Sequence, residues 1–101
     1  MNDNPLVVAL TGDLMDRSKL KHAIPDMSFA ANAGADVVIL DLVGGLAQIT
    51  QQREFARHAR IVCYGPHVDE AGMAAARAAG ADVVLPRSRF FRDPASAVFG
   101  R

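Results

Sequence analysis

Two charged side chains stand at matched positions behind a repeated hexapeptide. The run Ala-Gly-Ala-Asp-Val-Val occurs at Ala33–Val38 and again at Ala79–Val84; the first copy continues Ile-Leu-Asp41 and the second Leu-Pro-Arg87. Each charge falls five residues past the aspartate of its own copy. Glycine followed by a continuous apolar, β-branched run reads as a turn or helix end entering a strand buried on both faces. Asp41 and Arg87 are therefore expected near the ends of two such strands. A strand-end aspartate can attack a phosphoryl group if a divalent cation neutralises the developing charge. It can equally rest in an ion pair, and Arg87 is the expected partner, with a helix N-terminus as a second source of positive potential.

Other candidates for chemistry are weaker. Asp13 and Asp16 form an acidic pair after the first apolar run, and helix capping accounts for either. His67, in Gly-Pro-His, has no second histidine or cysteine at ligand spacing and reads as an exposed loop residue. His22 and His58 fall on predicted helices and read as surface residues. Gly44-Gly45 precedes a helix, yet a lone glycine pair is not a phosphate loop. Cys63, the single cysteine, lies in an apolar run and reads as a small buried hydrophobe. Arg87, Arg89 and Arg92 surround Phe90 and Phe91, a pattern that can bind single-stranded nucleic acid. Eleven Lys+Arg balance eleven Asp+Glu, so the run lacks the basic background such binding needs, and no nucleic-acid partner is expected.

The positioning elements emerge from patterning. The chain has 101 residues, half of them hydrophobic, which suits a single domain over 1–101. Strands are predicted at Leu6–Leu10, Met27–Ala31, Asp36–Leu42, Arg60–Tyr64 and Asp82–Leu85. Helices are predicted from Asp13 or Asp16 to Ile24, from Leu46 to His58, over Glu70–Ala79, and over Pro94–Phe99. In the last, Asp93-Pro94 gives an N-cap with proline at the first helical position. Alternating strands and helices make an α/β fold with a parallel sheet. Only four residues, Asn32 to Ala35, separate the second and third predicted strands. A parallel crossover between neighbours needs about a dozen, usually a helix, so that helix is short or missing. The acidic, polar start Met-Asn-Asp-Asn-Pro is unlike a signal peptide, no apolar stretch reaches a membrane-spanning length, and no disulfide framework is possible. A cytoplasmic protein with no membrane partner is expected.

From Ile61 to Ser88 the string IVCYGPHVDEAGMAAARAAGADVVLPRS resembles the last part of a response-regulator receiver domain, the CheY-like family. Val37–Leu42 is similar to the strand that carries the phosphoacceptor in that family, and Leu6–Asp13 to its first strand and acidic turn. The resemblance implies a flavodoxin-like three-layer sandwich with a five-stranded parallel sheet of order 2-1-3-4-5. It places Asp41 at the phosphoacceptor position, Arg87 at the conserved lysine and Gly65 at the switch hydroxyl. The family's two magnesium-binding acids correspond to Thr11 and Gly12, which leaves Asp13 and Asp41 as weak metal candidates. This pattern is similar to an atypical, or pseudo-, receiver in bacterial two-component signalling. The function expected is a stand-alone receiver-like module, not an enzyme and without a cofactor, that acts through a protein partner or a second copy of itself as a homodimer. The alternative is a degenerate receiver, still phosphorylatable on Asp41 in a phosphorelay, with Mg²⁺ as cofactor. The thinned helical layer is expected to bare an apolar patch for self-association.

Overall fold

The structure is a computed structural model and describes residues 4–66 and 69–100; His67 lies outside the described residues. Four strands, β1 (Val7–Ala9), β2 (Val37–Asp41), β3 (Arg60–Gly65) and β4 (Val83–Pro86), form one parallel sheet in the order β1-β2-β3-β4. Helices α1 (Leu14–Ala23), α2 (Leu46–Phe55), α3 (Glu70–Ala79), α4 (Arg87–Arg92) and α5 (Pro94–Phe99) connect and cover the strands. Strand pleating splits the apolar runs between two cores. Val8, Val38, Leu40, Ile61, Cys63 and Val84 face one way, onto Ile49 and Ala56 around α2 and Ala76 of α3. Val7, Ala9, Val37, Ile39, Val62 and Tyr64 face the other, with Leu20 of α1, Phe90 of α4 and Val98 of α5. Continuous hydrophobic runs, and not alternating ones, are what a sheet covered on both faces requires. Burial pushes the Cys63 thiol up to about 12, so it stays protonated and behaves as a packing group.

The expected five-stranded order 2-1-3-4-5 is corrected to four strands. Met27–Ala31 contributes only an isolated parallel bridge, Ser28 with Val8. Its backbone makes one pair of bonds with β1, Ser28 N to Val7 O (2.9 Å) and Ala9 N to Ser28 O (3.0 Å). The chain then turns away. Ala30 N donates to Ser28 Oγ and Gly34 N to Asn32 Oδ1, two side-chain-to-backbone turns that compete with extension of a strand. Between Ala23 and Val37 the described residues form no helix, so the missing crossover is as expected. The bare patch expected from its loss is small: Val8, on the face the helix would cover, is fully buried, while Phe55 of α2 is 49% exposed and shares a surface depression with Ala31.

The hexapeptide repeat has a structural job at the amino edge of the sheet. In the first copy Asp36 N donates to Leu6 O (2.8 Å), and the Asp36 carboxylate accepts from Leu6 N (2.7 Å). In the second copy Asp82 N donates to Ile61 O (2.9 Å), and its carboxylate accepts from Ile61 N (2.8 Å). Each aspartate thus clips its strand to the neighbour and sets the parallel register. Asp82 also meets Arg53 at 2.7 Å. Gly80 ends α3 at φ +123, and a Cβ there would lie 3.0 Å from the Arg53 side chain. Gly80→Ala is expected to lower stability by about 1–3 kcal/mol, read from the shift in the urea midpoint at unchanged slope.

Candidate functional site

The carboxyl ends of the strands open into a cleft of about 460 Å³, lined by Thr11, Gly12, Asp13, Asp41, Val43, Gly44, Gln48, Pro66 and Arg87, with Leu10 behind. This is where open α/β sheets place ligands, because the loops after the strands converge there. Each residue singled out from the sequence, other than His67, can be located. Asp41 ends β2 and is half-buried; its Oδ1 accepts from Val43 N (3.0 Å), capping the 3₁₀ turn Leu42–Gly44. Gln48 Nε2 holds the Asp41 carbonyl at 2.6 Å. Asp13 is the N-cap of α1, with Oδ1 accepting from Asp16 N (3.0 Å). Gly45 lies at φ +89, and its amide donates to Leu42 O, so it is not presented to a phosphate.

Arg87 does not pair with Asp41. The expected ion pair is replaced by one to Asp16, which lies on the sheet-facing side of α1 with no exposure to water. Arg87 Nη1 donates to Asp16 Oδ2 at 2.7 Å and Nη2 donates to Oδ1, a two-pronged guanidinium–carboxylate contact. Tyr64 Oη donates to Asp16 Oδ2 at 2.9 Å. The reason is positional. The chain turns into α4 directly after Pro86, which directs Arg87 over the aromatic face formed by Tyr64, Phe90 and Phe91. Tyr64 and Phe90 stack at 4.8 Å with 9° between their planes, and Phe91 meets Tyr64 edge-on at 5.0 Å. The guanidinium carbon sits 4.9 Å from the Phe91 ring and 5.7 Å from the Tyr64 ring. Phe90 and Phe91 therefore cover the sheet, and Arg89 and Arg92 are exposed at its rim.

The Arg87 hydrogen bond holds the Asp16 carboxyl below the usual aspartate value of 3.8, against the opposing effect of burial. The same bond raises Arg87 above the ordinary arginine value. Burial raises the Tyr64 hydroxyl, and its bond to Asp16 adds to the rise. At neutral pH the cluster is an ionised aspartate held by a cation and a neutral phenol.

Gly65 closes β3 with no side chain at the position of the expected hydroxyl. A Cβ there would lie 3.1 Å from Leu42 Cδ1 and 3.2 Å from Leu42 Cβ, so the 3₁₀ turn after Asp41 packs directly onto the glycine. Thr11 is buried, and its Oγ1 accepts from Asp13 N (3.3 Å). Arg17 Nε donates to the Thr11 carbonyl at 2.7 Å. Among the described residues no group of three or more His, Cys, Asp or Glu stands together to hold a metal ion. The residue that sequence reasoning missed is Asp16 as the partner of Arg87. A signal was present: Asp16 lies four residues before Leu20 and eight before Ile24, on the apolar edge of α1.

A scan of protein-family models and a search of curated proteins both find no match to this sequence. Solved structures do match. A LuxR-family two-component response regulator from Aurantimonas sp. superposes with a TM-score of 0.78 at 20% identity, over 97% of this chain and 84% of that one. A response regulator from Thermotoga maritima gives 0.73 at 19% identity, over 83% and 85%. A putative pilus assembly-related protein from Burkholderia pseudomallei gives 0.75 at 14% identity, over 96% and 88%. The chain therefore has the flavodoxin-like fold of CheY-like receiver domains. Among the described residues no helix is long and apolar enough to cross a membrane.

Removing one partner of the buried pair strands the other. Arg87→Met is expected to cost about 3 kcal/mol, the low end for breaking a buried ion pair, because the Arg87 side chain is 37% exposed. Asp16→Leu combined with Arg87→Met and Tyr64→Phe should recover most of that loss, since no member of the cluster is then left unpaired. The pH dependence has a definite sign. The folded Asp16 value is depressed, so its contribution is fully present above the unfolded value near 3.8 and is lost as pH falls through the lower folded value. Urea midpoints measured from neutral pH into that acid range should show this loss in the wild type and lack it in Asp16→Asn.

Proposed function

We propose that this chain is a receiver-fold signalling module that works through protein–protein contacts and not through magnesium-dependent phosphorylation of Asp41. The observation that carries the reading is the capture of Arg87 by Asp16. A cation needed to stabilise charge on a phosphorylated Asp41 would have to leave a two-pronged contact with a buried carboxylate, and Asp16 would then keep only the neutral Tyr64 hydroxyl against its charge. The donor set points the same way. Magnesium needs near-octahedral oxygen ligation with carboxylate help, and here Thr11 and Gly12 stand where a receiver keeps its acids. Asp13 and Asp41 each have one oxygen occupied in capping. The module is neither an enzyme nor a nucleic-acid binder in this reading; it needs no cofactor and resides in the cytoplasm of a bacterium as an atypical receiver. Its partner is another protein or a second copy of itself.

The second reading, a degenerate receiver phosphorylated on Asp41, has one observation in its favour. Asp41 sits at the strand end, in the cleft, and only its Oδ1 is engaged in capping. Incubation with acetyl phosphate and Mg²⁺ followed by intact-mass measurement separates the two. No added phosphoryl mass is expected. A gain that disappears in Asp41→Asn would establish the second reading in place of the first.

A further inference from the structure

Five large hydrophobic side chains are exposed among the described residues, and four of them lie on the two segments that border the cleft. These are Leu14 (77% exposed) and Met15 (70%) at the start of α1, with Val43 (77%) on the turn after β2 and Leu46 (45%) at the start of α2. Val43 lines the cleft itself, Leu14 and Met15 directly follow its lining residue Asp13, and Leu46 follows its lining residue Gly44 by two positions; exposed hydrophobics grouped beside a concavity suit a contact surface. Within the cleft the charges do not balance. Arg87 is matched by Asp16, while Asp13 and Asp41 enter no salt bridge among the described residues. Each uses Oδ1 to cap a backbone amide and keeps Oδ2 for another donor. The cleft is open beside Asp13, since a Cβ on Gly12 would meet nothing within 4 Å.

We propose that this cleft docks a segment of a protein partner that inserts one lysine or arginine side chain between Asp13 and Asp41. Apolar residues flanking that cation cover Leu14, Met15, Val43 and Leu46. The assignment rests on the reading of the chain as an interaction module and adds to it the surface and the chemistry of the partner. Charge complementarity selects the occupant. Two carboxylates that enter no salt bridge, against one cation already held by Asp16, repel an acidic or phosphorylated segment. A long cationic side chain matches both features, because its methylenes can lie along the apolar rim while its head reaches the carboxylates.

The test is a ¹⁵N-resolved NMR titration of the full chain with a short capped peptide that carries one lysine between leucines. Identical peptides with glutamate or norleucine at the central position serve as comparisons. The lysine peptide is expected to bind tightest and to shift the amides of Gly12, Val43 and Gly44. Asp13→Asn and Asp41→Asn retain a capping oxygen, so the fold should hold. Each should weaken binding roughly fivefold, the upper end for a partly exposed ion pair. Leu14→Ser with Val43→Ser should weaken binding while both carboxylates are kept. Equal affinity for the glutamate peptide, an unchanged affinity when Asp13→Asn and Asp41→Asn are combined, or shifts confined to the groove of Lys19, His22 and Phe91 would overturn the assignment. So would the absence of binding. Concentration-dependent shifts of the same amides without peptide would give the surface to a second copy of the chain instead. The acetyl phosphate measurement decides the underlying reading independently. Phosphorylation with intact peptide binding would defeat that reading and leave the docking surface standing.

Discussion

A carboxylate with no exposure to water stays ionised only when the protein replaces its hydration shell, and Asp16 is in that position. Three donors do this: both arms of the Arg87 fork and the Tyr64 hydroxyl. They come from the carboxyl ends of β3 and β4, while Asp16 comes from the helix after β1. One ion pair therefore ties the first helix to the far side of the sheet. Such a pair adds little net stability compared with a well-packed apolar replacement, since desolvation offsets most of the Coulomb gain. Its contribution is placement. α4 must begin at Arg87 and Tyr64 must face α1: a shift of the first leaves a charge unpaired, and a shift of the second takes a hydrogen bond from the buried carboxylate.

The aromatic cluster is a consequence of that constraint. Tyr64, Phe90 and Phe91 give the guanidinium an apolar and π-rich surround in which its carboxylate contact is less screened than it would be in water. Lys19 lies 5.3 Å from the Phe91 ring, so the same ring also meets a cation from α1. The charge that a receiver of this fold would turn toward its strand-end aspartate is here turned inward, and the cleft beside Asp41 and Asp13 is left acidic.

The sheet is more legible in the sequence than the site. β-branched runs after Gly34 and Gly80 mark β2 and β4, and the capping aspartates Asp13, Asp69 and Asp93 mark three helix starts that are observed. Met27–Ala31 reads as a full strand because Met27 and Phe29 alternate with small residues, as a half-buried strand would. The side-chain turns at Ser28 and Asn32 end it after one bridge. α4 escapes a sequence reading because no cap or periodic apolar pattern announces six residues dominated by arginine and phenylalanine. The partner of Arg87 is hidden for a related reason. Matching sequence offsets place Asp41 and Arg87 at the ends of two parallel strands, but they say nothing about the direction in which the chain leaves β4.

The repeat itself divides the molecule in two. Its aspartates, Asp36 and Asp82, share one task at the amino edge, where each accepts the amide of the neighbouring strand and fixes parallel register. Those roles depend on backbone geometry alone, so the two copies keep the same residues there. At the carboxyl edge the copies differ in charge and in the next element, a 3₁₀ turn after Asp41 and a helix beginning at Arg87. Both side chains line one cleft, yet the buried acid on α1 keeps them from pairing. A guanidinium is held more firmly by a carboxylate shielded from water than by a half-exposed one, because competition from solvent is weaker. Asp16, placed by the first helix, thereby determines the charge that the cleft presents outward.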